Sequence, residues 1–272
     1  MPKIRLIALD LDGTLLDSSL AIPRENRAAL ARAAAEGIRI VLASGRMTSC
    51  MEKFADQADL DGPVISYNGA MVRGARSAGR PLIFSRPLPS PAADDLVDLC
   101  AARRLFLNYY LDDALYAVDD PRLRRFADLY ADRTGAVYRL VGSLAPFKGG
   151  EPSKLLIVAD PPARDGLYDE LAPAWRERGT LLKTNPEYLE FLNRRTDKGE
   201  ALAALARHLG IRREQVAAVG DGDNDASMLR AAGVGVALAN ATAAAKAASE
   251  RVTHSDHDHG GAAEAIEFLL GA

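Results

Sequence analysis

Cysteine is scarce in this chain: Cys50 and Cys100 are the two among 272 residues. Two thiols cannot build the disulfide framework of a small secreted fold, nor a cysteine-rich zinc site. They read as small buried apolar residues in a reducing compartment. Long apolar runs are missing as well. No stretch approaches the ~18 uncharged residues that a membrane helix needs. The segment after Met1-Pro2-Lys3 lacks the long apolar region and the small-residue cleavage site of a secretory signal. Nor is there a strong charge of either sign: the net charge is -3 and the pI about 5.9. That balance speaks against nucleic acid or an acidic membrane as the main partner. The expected setting is therefore cytoplasmic, with no membrane and no nucleic acid. Lysine is sparse, with seven residues, against an excess of Ala and Arg that we read as codon usage and not as function.

What is present has the balance of a soluble globular protein. Apolar residues make up 48% and charged residues 26%, which sets aside collagen-like, fibrous and disordered readings. The length fits one large domain or two modest ones, and it suffices to bury a core without covalent staples.

The first third alternates strand and helix. Ile4 to Leu9 is a near-continuous apolar run, as in a strand buried on both faces. Pro23 opens a helix that Gly37 closes. A second buried strand covers 38–43, a helix 48–58 and a third short strand 64–67. Repeated βαβ of this kind predicts a parallel sheet. Near residue 80 the pattern changes. Pro81, Pro87, Pro89 and Pro91 punctuate a linker-like stretch. Beyond it, a helix (92–103) leads to a hairpin (105–110 and 115–118) turned at Asp112-Asp113. Further helices and antiparallel strands follow, the last strand at 188–192. After Asp197 the βα alternation resumes and runs to a final helix at 261–270. The fold class expected is α/β: a doubly wound, mostly parallel sheet interrupted by an inserted α+β module. The core is expected at 1–82 and 188–272 and the insertion at 83–187. Trp175 and the aromatic residues of the middle third read as core of that module. Arg122, Arg124 and Arg125 read as a solvated helix face.

Four local signals lie at the carboxyl edge of the expected sheet, where open α/β folds bind ligands. The first strand runs into Asp10-Leu11-Asp12-Gly13-Thr14. Residues two apart at a strand end point the same way, so two carboxylates meet and call for a hard divalent cation such as Mg²⁺; Asp-Gly also suits a plain turn. The second strand runs into Ser44-Gly45-Arg46, a hydroxyl and an approachable glycine amide suited to a phosphate oxygen, or equally to a helix cap. Lys198 opens a helix against the preference of the dipole. It is placed to serve a bound anion or is a solvated surface lysine. The strongest signal is Gly220-Asp221-Gly222-Asp223-Asn224-Asp225, where helix capping accounts for one polar side chain but not for four.

In this order, the four elements and Tyr67-Asn68-Gly69-Ala70 resemble the haloacid dehalogenase superfamily, most closely its Cof-type, class IIB phosphatases. The resemblance covers essentially the whole chain. It implies a Rossmann-like core with an inserted type C2b cap that excludes water. It implies hydrolysis of a small phosphorylated metabolite, a sugar phosphate or similar monoester, by a monomer or weak homodimer. Asp10 would be the nucleophile that forms an aspartyl-phosphate, and Asp12 the general acid and base. Mg²⁺ would be held by Asp10, the backbone carbonyl of Asp12, and Asp221. Phosphate oxygens would be bound by Ser44, Lys198, Asn224 and the amides of Leu11 and Gly45. Asp225 would orient the metal shell or Lys198, while Arg46 and Asn68 are candidate substrate contacts. Two rival functions share these motifs: a phosphomannomutase-like phosphosugar mutase and a non-catalytic phosphate-binding protein.

The chain departs from the family's pattern at His254-Ser255-Asp256-His257-Asp258-His259, where the family usually has an acidic, Gly-containing loop. A His/Asp cluster suits a transition metal, but the preferred reading is a solvated loop before the last helix, capped by Asp258 or its neighbours.

Overall fold

The computed structural model describes residues 3–271 and divides into two compact units. One comprises the chain up to Phe84 and from Asp197 onward; the other is Ser85–Thr196.

The chain opens with β1 (Leu6–Asp10), α1 (Arg24–Ala35), β2 (Arg39–Ala43), α2 (Thr48–Gln57) and β3 (Val64–Ser66). All five residues of β1 are buried, as its apolar run predicts. Two short strands follow, β4 (Met71–Arg73) and β5 (Leu82–Ser85). They extend the sheet edge, with β4 antiparallel to β3 and β5 beside β4.

In the inserted unit, α3 (Ser90–Arg103) leads to β6 (Phe106–Leu111) and β7 (Ala114–Val118). The turn between them places Asp112 and Asp113 at φ 52 and 58. Two left-handed residues make the type of turn that matches strand twist in a two-residue hairpin. Next come α4 (Arg124–Thr134), β8 (Tyr138–Val141), β9 (Lys154–Val158), α5 (Pro161–Trp175), β10 (Thr180–Lys183) and β11 (Tyr188–Leu192). The six strands form one sheet in the order β10-β11-β9-β6-β7-β8. Its neighbours are antiparallel except β7 and β8. Leu107, Tyr109, Leu155, Ile157, Leu189 and Phe191 pack against α3 and α5. Trp175 meets Phe191 edge to face at 4.8 Å and is core, as its sequence context predicts. Arg122, Arg124 and Arg125 form exposed ion pairs with Asp120, Asp119 and Asp160.

The chain returns through α6 (Lys198–His208), β12 (Val216–Gly220), α7 (Ala226–Ala231), β13 (Val234–Ala237), α8 (Ala243–Ala247), β14 (Arg251–Val252) and α9 (Gly261–Leu270). The core sheet has the order β14-β13-β12-β1-β2-β3-β4-β5. The pairs from β14 through β3 are parallel. Alternate strand residues face opposite layers. Ile7 and Leu9 join α1, α2 and α9, while Leu6 and Ala8 join α6, α7 and α8.

The expected boundaries shift at both ends of the insertion. The strand Tyr188–Leu192, assigned to the core from sequence, pairs with β9 and β10 in the inserted sheet, so the second boundary falls at 196/197 and not 187/188. The first falls at 84/85 and not 82/83, because β5 completes the edge of the core sheet. Both cysteines are buried and unpaired with one another, and burial pushes the Cys100 thiol up to about 12. Among the described residues no helix is long and apolar enough to cross a membrane.

Candidate active site

From β1 the chain winds through β2 and β3 to one side, and it later returns as β12 on the other side of β1. Such a reversal leaves a crevice beyond the carboxyl ends of the two central strands. Asp10 is the last residue of β1, and Gly220 is the last of β12, with Asp221 directly after it. Topology thus joins two motifs whose Asp10 and Asp221 lie 211 positions apart in the chain.

A fully buried lysine anchors the site. Lys198 Nζ donates to Asp10 Oδ1 at 2.5 Å and to Asp225 Oδ1 at 2.6 Å. It is the first residue of α6, whose cap Asp197 accepts from the Glu200 amide. The surface-lysine alternative is therefore set aside, since its relative side-chain exposure is 0%. Asp225 uses its other oxygen to accept the amides of Asp221 (3.1 Å) and Gly222 (2.9 Å). Asp225 thus bridges Lys198 and these two amides. Asp221 Oδ1 accepts the Thr14 hydroxyl at 2.6 Å. Gly13 lies against the same carboxylate: its φ is +82, and a Cβ there would stand 2.6 Å from Asp221 Oδ2. Any other residue would displace Asp221 and strain the loop.

Carboxylate oxygens of Asp10, Asp221 and Asp225 lie within 4.8 Å of one another. Three carboxylates share one ammonium, so the cluster holds a surplus of negative charge when ionised. The consequence falls on Asp10, Asp221 and Lys198. Burial, then the charge of Asp225, push Asp10 well above the ordinary carboxylate range, with Lys198 opposing. Burial also raises Asp221, against the Thr14 hydrogen bond. Burial disfavours the Lys198 ammonium, but the charges of Asp10 and Asp225 outweigh it and leave its pKa above normal. An uncompensated, oxygen-only donor set of this kind fits a hard divalent cation. Asp225 is committed to Lys198 and two amides, which leaves Asp10 and Asp221 as the carboxylates best placed to coordinate.

Asp12 faces elsewhere. Its carboxylate, 45% exposed, is gripped by Arg46 through Nε at 2.9 Å and Nη2 at 2.6 Å. The acidic cluster therefore excludes the Asp12 side chain, and only its backbone carbonyl remains for a metal. Arg46, a candidate substrate contact from sequence, pairs with Asp12 in this structure. Ser44 is buried, with its hydroxyl 3.5 Å from Asp12 Oδ2 and accepting the Arg46 amide at 3.2 Å. Leu11 is buried directly after Asp10.

Asn68 enters from the turn after β3. Tyr67 and Asn68 both take left-handed backbone conformations, φ 53 and 56, at a cost of roughly 1–2 kcal/mol per residue for ordinary side chains and less for Asn. The turn is held by Asn68 N to Ser44 O and Tyr67 N to Arg46 O, both 3.0 Å. It lays the Asn68 carboxamide over Gly45, where a Cβ would come within 3.1 Å. Asn224 Nδ2 then donates to Asn68 Oδ1 at 3.0 Å. The structure thus gathers Asp10, Asp12, Ser44, Gly45, Arg46, Asn68, Lys198, Asn224, Asp221 and Asp225 around one strand edge.

Thr14 and Asn240 escaped the sequence reading. Thr14 is part of the first motif and signals itself only by contact with Asp221. Asn240 follows β13 with no motif to mark it. Its Nδ2 donates to Gly13 O at 2.8 Å and lies 3.5 Å from Asp221 Oδ2. In the histidine-rich loop, Asp256 caps the turn His257–His259, and the last helix starts from Gly260 with no side-chain cap. Asp258 instead accepts the amide and hydroxyl of Ser18, both at 2.7 Å.

The switch-point crevice, the buried Lys-Asp pair and the carboxylate cluster define a hydrolase of the phosphoryl-transfer type. Residues 7–266 match the model of the haloacid dehalogenase-like hydrolases, and the chain belongs to that family. It is 30% identical over 289 residues to the phosphatase YwpJ of Bacillus subtilis, covering 98% of this chain and 100% of the relative. It is also 30% identical over 291 residues to YwtE of the same organism, named as a 5-amino-6-(5-phospho-D-ribitylamino)uracil phosphatase, with 98% of each chain covered. The crystal structure of a haloacid dehalogenase-like hydrolase from Bacteroides thetaiotaomicron superposes with a TM-score of 0.87 at 32% identity, covering 98% of this chain and 100% of that one.

Proposed function

We propose that this chain is a Mg²⁺-dependent phosphatase that hydrolyses small phosphorylated metabolites through an aspartyl-phosphate on Asp10. The observation that carries this reading is the buried Lys198 ammonium 2.5 Å from Asp10 Oδ1, with Asp221 beside them at the switch point. A carboxylate held there beside a fixed cation is placed to attack phosphorus while positive charge meets the phosphoryl oxygens.

In the first step an Asp10 oxygen bonds to phosphorus, the bond from phosphorus to the substrate alcohol breaks, and Asp12 passes its proton to the departing oxygen. In the second, Asp12 takes a proton from water as the water oxygen attacks phosphorus. The bond to Asp10 breaks, and inorganic phosphate leaves with Asp10 regenerated. Asp12 carries the proton both ways, and Arg46 holds its carboxylate in one orientation. Lys198, the Ser44 hydroxyl, the Asn224 carboxamide and the amides of Leu11 and Gly45 are the donors for phosphate oxygens. Asp10, Asp221 and the Asp12 carbonyl would hold Mg²⁺. Bound there, the ion supplies charge against the equatorial oxygens in transfer.

The phosphoribityl compound in the name of one full-length relative supports a small metabolite monoester, a sugar phosphate or similar, as substrate class. Residues 85–196 are assigned the part of a cap that selects the substrate and excludes water.

The test is phosphate release from a panel of phosphorylated metabolites, with and without Mg²⁺. Asp10→Asn should abolish release, and Asp12→Asn should slow it by roughly 10²–10⁴. Release by Asp10→Asn at the wild-type rate would sink the covalent mechanism. Strict dependence on a bisphosphorylated sugar, with isomer as product, would assign the mutase reaction instead.

A further inference from the structure

The loop 254–260 is the one motif of the sequence that the proposed chemistry leaves unused. Its acids are already engaged. Glu264 accepts the amides of His254 (2.9 and 3.1 Å) and Ser255 (3.0 Å), and pairs with His254 Nδ1 at 2.9 Å. Asp256 accepts the amides of Asp258 (3.1 Å) and His259 (3.0 Å), and pairs with His259 Nδ1 at 2.6 Å. Thr253 Oγ1 donates to Ser255 O at 2.6 Å while accepting the Ala239 amide at 3.1 Å. These bonds make a braced turn, not an open set of metal ligands.

From this turn one set of contacts reaches the loop after β1 and another the loop after β13. Asp258 grips Ser18 at its amide and hydroxyl. The His257 amide donates to Asn240 Oδ1 at 3.1 Å. A backbone N–H can be met only by the oxygen of a carboxamide, so the Asn240 amide group must turn its NH₂ the other way. There it donates to Gly13 O at 2.8 Å and faces Asp221 Oδ2 at 3.5 Å. Asp221 is thus steered on both oxygens, by Thr14 on Oδ1 and by Asn240 on Oδ2.

We propose that Asn240 is a positioning residue for Asp221 and the Gly13 carbonyl, and that the histidine-rich loop is the brace that holds Asn240 in place. The inference rests on the metal reading above. It assigns Asn240 the task of fixing a coordinating carboxylate before the cation arrives. Partners of this kind set the direction of a ligand oxygen, and losing one costs roughly 10–100-fold in metal affinity.

The experiment titrates the full-length, metal-free protein with Mn²⁺ and reads free Mn²⁺ by its electron paramagnetic resonance signal. Asn240→Ala should weaken Mn²⁺ binding about tenfold or more, with the melting temperature of the metal-free protein unchanged. Asp258→Ala should weaken it in the same direction by a smaller factor, and it stands in if Asn240→Ala folds poorly. His257→Ala should weaken it less than Asn240→Ala, because the contact to Asn240 comes from the His257 backbone and the ring adds only a 3.4 Å contact to the Ser18 hydroxyl. Wild-type affinity in both Asn240→Ala and Asp258→Ala overturns the proposal. So does a loss in His257→Ala as large as in Asn240→Ala, which would make the imidazole a ligand. Wild-type protein that binds no Mn²⁺ would remove the metal reading itself, and this inference with it.

Discussion

Lys198 decides the electrostatics of the site at the scale of one residue. It is the sole ammonium hydrogen-bonded to Asp10 and Asp225 among the described residues, and it is fully buried. Replacing it with methionine keeps much of the volume but leaves buried carboxylates without their partner. Breaking a buried ion pair in this way costs roughly 3–5 kcal/mol. Lys198→Met should therefore lose activity and that much stability at neutral pH, read by urea denaturation. Part of the loss should return in acid, because protonation removes the charge that burial penalises. A Lys198→Met protein as stable as wild type at neutral pH would contradict the charge surplus described above. From sequence, the helix-opening position of Lys198 and the spacing of the aspartates were legible as local oddities. The pairing of Arg46 with Asp12 was not, because nothing local to Ser-Gly-Arg names its partner. It arises from the placement of the 44–46 turn beside Asp12.

Elements with a clean period or turn signal were legible residue by residue. The strand Tyr188–Leu192 and the helix Gly261–Leu270 stand at the bounds the sequence predicts. The strands β4 and β5 were not legible, because runs of three and four residues, one ending before Gly74 and one starting after Pro81, carry too little alternation to register. Sheet membership was also hidden: the period of β11 says that it is a strand, not which sheet receives it. Its place in the inserted sheet brings Glu190 level with Leu156 on β9 and 3.2 Å from Lys154. Thr184 donates to the other Glu190 oxygen at 3.0 Å, and the Lys154 ammonium lies 5.1 Å from the Tyr110 ring centre. The pair is buried, with relative side-chain exposures of 3% and 9%. Its net worth against an apolar pair is small, but its halves are not separable. Glu190→Leu should cost about 3–5 kcal/mol, and adding Lys154→Met should recover most of it. Chemical denaturation of the two variants checks this. A double variant no better than Glu190→Leu would make the pair a true source of stability.

At the scale of the molecule, the doubly wound order carries the site, because it brings the end of β1 beside the end of β12. Sequence alternation implied that order, and with it the meeting of Asp10 and Asp221. It could not locate Asn240, whose role arises from three loops converging rather than from a local pattern. The convergence has a thermodynamic consequence for the whole chain. Asp10 and Asp221 both have raised pKa values in the metal-free fold. A carboxyl raised on folding contributes stability that is complete below its unfolded pKa and is lost as pH rises through its folded pKa. The metal-free protein should thus give up stability on going from acid toward neutral pH through these two groups. A divalent cation needs the same carboxylates deprotonated, so its affinity moves the opposite way. At about 100 times its dissociation constant, the ion adds roughly 2.7 kcal/mol to the folded state. The rise in melting temperature on adding Mg²⁺ should be several degrees near neutral pH and should shrink as the buffer approaches the folded pKa values from above. Asp221→Asn should remove most of the rise at every pH. A rise that is equal in acid and at neutrality, or that survives Asp221→Asn, would place the stabilising cation somewhere other than this cluster.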